Sequence, residues 1–313
     1  MARLLFQKSG DKIPWLGKLG WWLEAAILKL FWKWVSASTV ERASARGYRL
    51  FRWLGPRLNK NRHVMGNLGI AFPGMSQAEY EALAEAVWGN IGAVLAEYPF
   101  LKTLVATGPD SHTTIEMRGV SKTVVENRES AVYVTPHLGN WEIAAATVAK
   151  LEIPLSTIYS PQSNPGVDRM ILGVRESLGL KFVPKEHAVR QLLKELRQGR
   201  SVGMLPDQRV DEGDLIPYFG VDAPTASTPA WLAIKMERPL IPVEVERSGP
   251  ARFRVVFHEP IDTQAGIKDD RERVLETTRQ VNVCFENWIR KHPEHWHCTK
   301  RRWPKQAYRD QLA

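Results

Sequence analysis

The feature that most narrows the fold is a run of short apolar segments alternating with helical ones over residues 131–205. Ala131–Thr135, Leu155–Tyr159, Leu180–Val183 and Ser201–Leu205 read as short buried strands, with helical stretches near 141–151, 166–179 and 187–198 between them. Asn164-Pro165 offers an N-cap followed by proline at the first helical position, and Gly199 closes the third helix. Further strands are expected at Leu240–Glu246 and Phe253–His258, a long helix at 269–291, and an earlier helix from the capping box Ser76-Gln77-Ala78-Glu79 to about Tyr98. Strands alternating with helices imply an α/β fold, a central mixed sheet flanked by helices. The 313 residues suffice for one such domain, and no linker-like or repeated stretch divides them.

The N-terminal part reads differently. Five of the twelve tryptophans, Trp15, Trp21, Trp22, Trp32 and Trp34, fall in the first 35 residues. Tryptophan suits the boundary between lipid and water, and core packing does not explain such crowding. Residues 15–35 are nearly long enough to span a bilayer, but Lys18, Glu24, Lys29 and Lys33 interrupt them. At about 100° per residue the three lysines fall within a sector of about 60°, which favours a helix lying in the interface over a tilted span. Arg42, Arg46, Arg49, Arg52, Arg57, Lys60 and Arg62 follow. Such a run forms either a solvated face or a contact with anionic lipid at about 1 kcal/mol per residue. The division expected is a membrane-associating helix over 1–45 and a catalytic domain over 46–313.

The formal charge of +9 favours anionic partners: phospholipid, an acidic protein or nucleic acid. No nucleic-acid-binding motif accompanies the charge, so nucleic acid is set aside. Two cysteines imply no disulfide framework and a reducing compartment by default, and the three-residue apolar run near the N-terminus is too short for a cleavable signal, so a cytoplasmic protein is expected.

The chemistry is expected in Thr135-Pro136-His137-Leu138-Gly139-Asn140-Trp141-Glu142, where a strand gives way to a helix capped by Asn140. On a continuous helix His137 and Glu142 would point about 140° apart, so they meet only across a turn, and Gly139 supplies the freedom for one. A carboxylate on one imidazole nitrogen would fix the tautomer and leave the other nitrogen to take a proton from a hydroxyl. No Gly-x-Ser-x-Gly elbow occurs and neither cysteine has a catalytic setting, so the nucleophile would come from a substrate. Alone, a strand-end histidine is more often structural.

Several segments add to that motif. Pro136-His-Leu-Gly-Asn-Trp-Glu142 resembles the active-site motif of the lipid A biosynthesis lauroyl/myristoyl acyltransferases, a branch of the lysophospholipid acyltransferase superfamily. Asn67-Leu-Gly-Ile-Ala-Phe-Pro73, Asn90-Ile-Gly92 with Glu97-Tyr98, Asn164-Pro165 with Arg175, Pro206-Asp-Gln-Arg209 with Glu212-Gly213, Pro217-Tyr-Phe-Gly220 and Pro239-Leu-Ile-Pro242 resemble further segments of that family in the same order. The resemblance covers roughly residues 40–305.

It implies a glycerolipid acyltransferase-like fold and transfer of an acyl chain from a carrier thioester to a hydroxyl of a lipid A precursor. By it, His137 is the general base and Glu142 its partner. Gly139, Asn140, Tyr159 and Asn164 line the acceptor pocket, and Arg175 with Asp207, Gln208 and Arg209 holds charged or polar parts of the substrates. For Arg175 a structural ion pair is the alternative, and for Asp207 a turn after a strand. The donor is acyl carrier protein or coenzyme A, a co-substrate, with no further cofactor. The partners are a membrane lipid, the membrane surface and acyl carrier protein, at the cytoplasmic face of the bacterial inner membrane. The same chemistry on another glycolipid or a lysophospholipid is the alternative, and a hydrolase releasing fatty acid is a rival. The tail departs from the family: Cys298-Thr299-Lys300 stands before Arg301-Arg302-Trp303 where relatives carry an aromatic–Leu–His run. His292, His295, His297 and Cys298 have metal-like spacing, but no second cluster completes a site and no metal is expected.

Overall fold

The computed structural model describes residues 14–108, 110–185 and 188–310, with side chains from residue 17 onward. The short apolar run near the N-terminus and the side chain of Trp15 lie outside what is described.

Among the described residues five helices precede the sheet: α1 (Pro14–Ser36), α2 (Val40–Leu54), α3 (Asn61–Ala71), α4 (Gln77–Glu97) and the short α5 (Leu101–Leu104). The capping box forms as expected, with Glu79 and Ser76 exchanging hydrogen bonds at the start of α4. Helices α2 and α4 cross closely at Gly47 and Gly92. A Cβ on Gly47 would stand 2.2 Å from the Gly92 carbonyl oxygen, so only glycine permits the approach.

The chain then runs β1 (Thr113–Met117), α6 (Gly119–Glu126), β2 (Val132–Val134), α7 (Glu142–Lys150), β3 (Leu155–Tyr159), α8 (Pro165–Glu176), β4 (Lys181–Pro184), α9 (Ala188–Arg197) and β5 (Ser201–Met204). A hairpin of β6 (Asp214–Tyr218) and β7 (Val221–Thr225) stands apart from the main sheet. The last elements are α10 (Thr228–Met236), β8 (Leu240–Gly249), β9 (Arg252–Phe257), α11 (Asp270–Lys291) and α12 (Lys305–Asp310).

The main sheet has seven strands in the order β1-β9-β8-β2-β5-β3-β4. Every pairing is parallel except β8 with β9, so the expected mixed sheet forms. Central strands β2 and β5 are buried throughout, as parallel strands covered on both faces must be. Alternation along β2 assigns the faces. Val132 and Val134 join a core with Leu68, Leu192, Leu232 and Phe285, while Tyr133 joins one with Leu104, Ile143 and Ile171.

Helix α1 lies on the body through Ala25, Leu28, Phe31, Trp32 and Val35. The Trp32 indole donates to the Leu95 carbonyl and stacks on Tyr98. The opposite face carries Leu19, Trp21, Trp22, Leu23, Ile27, Leu30 and Trp34, all exposed, with Trp22 at 65%. Of the clustered tryptophans one therefore packs inward and three face out. Among the described residues no helix is long and apolar enough to cross a membrane.

Candidate active site

Strands β2 and β5 are paired in register at Val134 and Met204. Three residues beyond each lies a side chain that follows a proline: His137 after Pro136, and Asp207 after Pro206. Parallel neighbours end at the same edge of a sheet, so the two arrive side by side. Asp207 Oδ2 accepts the His137 backbone N–H at 3.0 Å, and its Oδ1 lies 2.6 Å from His137 Nδ1. The carboxylate on the ring is thus Asp207 and not Glu142, which corrects the expected pairing. Burial pushes the Asp207 carboxyl up, but the His137 charge and two hydrogen bonds outweigh it and hold it below the ordinary aspartate value. A carboxylate on Nδ1 fixes the proton there and turns Nε2 outward. The His137 side chain keeps 18% exposure against 1% for Asp207.

The loop holding His137 is fixed from below. Gly139 has φ +58, and a Cβ there would lie 2.7 Å from the Val245 carbonyl oxygen. Its N–H donates to the His295 carbonyl, and the His297 N–H donates to the His137 carbonyl. Asn90 donates to the carbonyls of Gly139 and His295, and its own oxygen accepts from Arg247. Fully buried Glu97 accepts from Arg247, Ser44 and Asn140. A buried ion pair satisfied on all sides gives the loop one arrangement. Asn140 is part of this support: its oxygen receives the Glu142 N–H from one residue before the N-cap of α7, which is Trp141 and not Asn140 as expected, its amide donates to Glu97, and it is wholly buried.

Glu142 opens α7 and meets Arg175 from α8, whose guanidinium donates to both carboxylate oxygens. The Tyr98 hydroxyl donates to the same carboxylate at 2.5 Å and the Trp141 indole at 3.1 Å. Burial would raise the Glu142 carboxyl, but the Arg175 charge, with its hydrogen bonds and that of Tyr98, holds it below the ordinary value. Glu142 reaches His137 through Trp141, whose ring centroid is 5.1 Å from the imidazole. Its place is to seat Trp141 and receive Arg175. Arg175, expected to hold substrate, is engaged in that internal pair.

Tyr159 and Asn164 sit farther along the same edge. The Tyr159 hydroxyl donates to Asp168, and Asn164 caps α8 while its amide donates to the Trp21 carbonyl and to Glu24. Asn164 therefore ties α1 to the domain. The polar atoms of Asn140, Tyr159 and Asn164 are bonded within the protein, whereas their expected place was in a pocket lining.

The tail completes the surroundings. His297 packs edge-on against Trp141 at 4.9 Å and lies 6.2 Å from His137. Burial first, then the His137 charge, depresses its pKa to about 3, so it is a neutral imidazole. Cys298 is buried and its thiol pushed upward by desolvation, which leaves it inert. The metal-like spacing resolves into His292, Glu294 and His295, whose ligand atoms lie within 4.8 Å of one another, apart from His297 and Cys298. Asn67 holds the tail in place, donating to the carbonyls of Cys298 and Lys300 at 2.7 Å each. Arg302 and Trp303 turn inward onto the β6–β7 hairpin. Gln208 accepts from Lys300 at 3.0 Å, and Arg209 pairs with Asp211.

Sequence reasoning missed Asp207 as the ring partner, as well as Arg247, Trp141 and His297. The first could be found by noting that β2 and β5 both end in proline followed by an ionisable residue.

Comparison with known proteins bears on this arrangement. Residues 11–305 match the family described as bacterial lipid A biosynthesis acyltransferase. A lipid A biosynthesis myristoyltransferase of Escherichia coli K12 is 26% identical over 165 residues, 51% of this chain and 50% of that protein. A lipid A biosynthesis acyltransferase of Haemophilus influenzae is 21% identical over 256 residues, 78% of this chain and 76% of that protein. A phosphatidylinositol mannoside acyltransferase of Mycolicibacterium smegmatis is 26% identical over 178 residues, 55% and 56% respectively. The chain spans about half the length of the first of these relatives. Among solved structures, the 1-acyl-sn-glycerophosphate acyltransferase PlsC of Thermotoga maritima superposes with a TM-score of 0.34 at 14% identity, covering 85% of this chain and 97% of that one, a likeness too slight to weigh. The match over residues 11–305 decides the matter: the chain belongs to the bacterial lipid A biosynthesis acyltransferase family.

Proposed function

We propose that this protein is an O-acyltransferase that moves a fatty acyl chain from a carrier thioester to a hydroxyl of a membrane lipid, with His137 as general base. The observation that carries the reading is the imidazole anchored through Nδ1 to buried Asp207, with Nε2 turned away at the open edge of the sheet. In the reaction the acceptor hydroxyl gives its proton to Nε2 as its oxygen attacks the thioester carbonyl. The tetrahedral intermediate then collapses, the carbon–sulfur bond breaks, and the imidazolium returns the proton to the departing thiol. Asp207 holds the Nδ1 proton and stabilises the imidazolium between the two transfers. Glu142 acts through Trp141 and Arg175 as a positioning residue.

A lipid A precursor is the acceptor that the family name supports. Phosphatidylinositol mannoside acyltransferases among the relatives support a mannosylated glycolipid as the second reading. The donor would be acyl carrier protein or coenzyme A, and an acidic carrier would find a basic protein favourable. The exposed Trp21, Trp22, Ile27, Leu30 and Trp34 face supports an interfacial seat for α1, at the cytoplasmic face of the inner membrane. In the division that follows, residues 1–45 seat the protein and 46–313 catalyse.

Labelled acyl thioester incubated with and without lipid acceptor tests the function. Label in the acceptor supports the transferase; label found only as free fatty acid means a hydrolase.

A further inference from the structure

Helix α11 ends at Lys291, and His292-Pro293-Glu294-His295 then brings the chain back to the loop that carries His137. Proline has no N–H with which to prolong the helix. The chain closes instead into the 3₁₀ turn Pro293–His295, with the His295 N–H on the His292 carbonyl at 3.1 Å. Side chains three apart in such a turn eclipse one another. The imidazoles of His292 and His295 accordingly stack, with centroids 5.3 Å apart and planes inclined at 25°.

Glu294 meets both rings. One carboxylate oxygen, Oε1, lies 3.5 Å from His292 Nδ1 and 3.6 Å from His295 Nε2. These separations are too long for good hydrogen bonds, and among the described residues neither ring makes a hydrogen bond elsewhere. They fit another geometry. Ligand atoms about 2.0–2.1 Å from a tetrahedral zinc ion stand about 3.4 Å from one another. The three ligand atoms here all lie within 4.8 Å of one another, so a small rotation of one ring completes the set. Among the described residues no other three His, Cys, Asp or Glu side chains converge in this way.

The surroundings admit a dication. Arg247, whose charge faces His295, is matched by Glu97, Lys291 by Glu246, and Arg290 by Glu286. All three candidate ligands are half-buried, which leaves one side open for water in the fourth position.

We propose that His292, Glu294 and His295 bind one divalent transition-metal ion of the zinc class, and that this ion braces the turn on which the His137 loop rests. Two imidazoles and a carboxylate suit zinc and disfavour magnesium, which takes oxygen ligands. Bracing follows from the main chain. The His295 carbonyl accepts the Gly139 N–H at 3.0 Å and the Asn90 amide at 3.2 Å. An ion tying His295 to His292 restricts that carbonyl, and with it the residue two beyond His137. It would do so whatever substrate His137 serves.

The full chain, stripped with a chelator, desalted and held at about pH 7.5, where free imidazole is neutral, provides the test. Zinc is titrated calorimetrically and the bound metal counted by elemental analysis. One ion per chain is expected, with Tm raised by zinc and not by magnesium. His292→Asn and Glu294→Gln should each weaken zinc binding tenfold or more and erase that rise. Their metal-free Tm should match the wild type, because neither side chain belongs to the core. Zinc should also slow hydrogen exchange at the Gly139 amide by about threefold or more in the wild type and in neither variant. Absence of a bound ion, or zinc binding undiminished in both variants, overturns the site. An ion bound there with Gly139 exchange unchanged overturns the bracing.

Discussion

Asp207 grips His137 at two points, Oδ2 on the main-chain N–H and Oδ1 on Nδ1, so one carboxylate fixes both the position and the tautomer of the ring. Glu142, five residues from the histidine, is spent on Arg175 and Tyr98 instead. Two carboxylates near one imidazole thus have different work, and their substitutions should be distinguishable.

Asp207→Asn should keep the fold and lose catalysis. An amide can still bond the ring but no longer stabilises the imidazolium, and it favours the wrong tautomer. We expect kcat to fall by about 10² to 10⁴-fold, as for His137→Ala, with Tm nearly unchanged. Steady-state kinetics on both variants check this, and an Asp207→Asn enzyme with near-normal kcat would remove Asp207 from the mechanism.

Glu142→Gln should act first on stability. It leaves the Arg175 guanidinium short of its countercharge in a partly buried setting, at a cost of about 3 kcal/mol. The folded-state pKa of Glu142 lies below its ordinary 4.5, so the ionised form is favoured by the fold. That contribution is complete above the ordinary value and is lost as pH falls through the lowered one. Melting temperatures from pH 7 downward should therefore converge for wild type and Glu142→Gln at the acid end. A constant gap at every pH would contradict the assignment.

Gly139→Ala should be severe for so small a change. The added methyl would meet the Val245 carbonyl oxygen, a main-chain atom of a central strand, on a backbone with positive φ. A loss of about 1–3 kcal/mol is expected, together with most of the activity, since relief of the clash displaces His137. Thermal melts alongside transfer assays read both.

Replacing Trp21, Trp22 and Trp34 together by serine should weaken binding to anionic vesicles while leaving Tm intact, because none packs in the core. Weakening tenfold or more in co-sedimentation is expected, with residual binding abolished by salt, which screens α2 arginines such as Arg42 and Arg49. Undiminished vesicle binding would mean that α1 does not lie in the interface.

Much of this molecule could be read in advance where local chemistry is strong. Leu155–Tyr159 is a strand over the expected span, and the Ser76 capping box starts its helix. The β6–β7 hairpin escaped notice because Pro217 and Pro224 argue against strands; an isolated two-stranded ribbon tolerates them. Strand β1 and helices α6 and α10 also went unread, their short segments carrying little periodic signal. At the site, His137 was legible from its motif, whereas Asp207 lies 70 residues away and meets it only through the pairing of β2 with β5. The same holds for Glu97 and Arg247, 150 residues apart. What binds across the sheet leaves no spacing to read.

The hydrogen bonds that couple the His137 loop to His295 and His297 also set when this centre can come into being. A nascent chain that has made β2 and β5 but not yet residues 295–297 carries His137 and Asp207 without the main-chain partners that hold the loop. Reactivity would then be withheld until residues 295–297 have been made and folded back, so a thioester would not meet a half-built catalyst able to waste it on water.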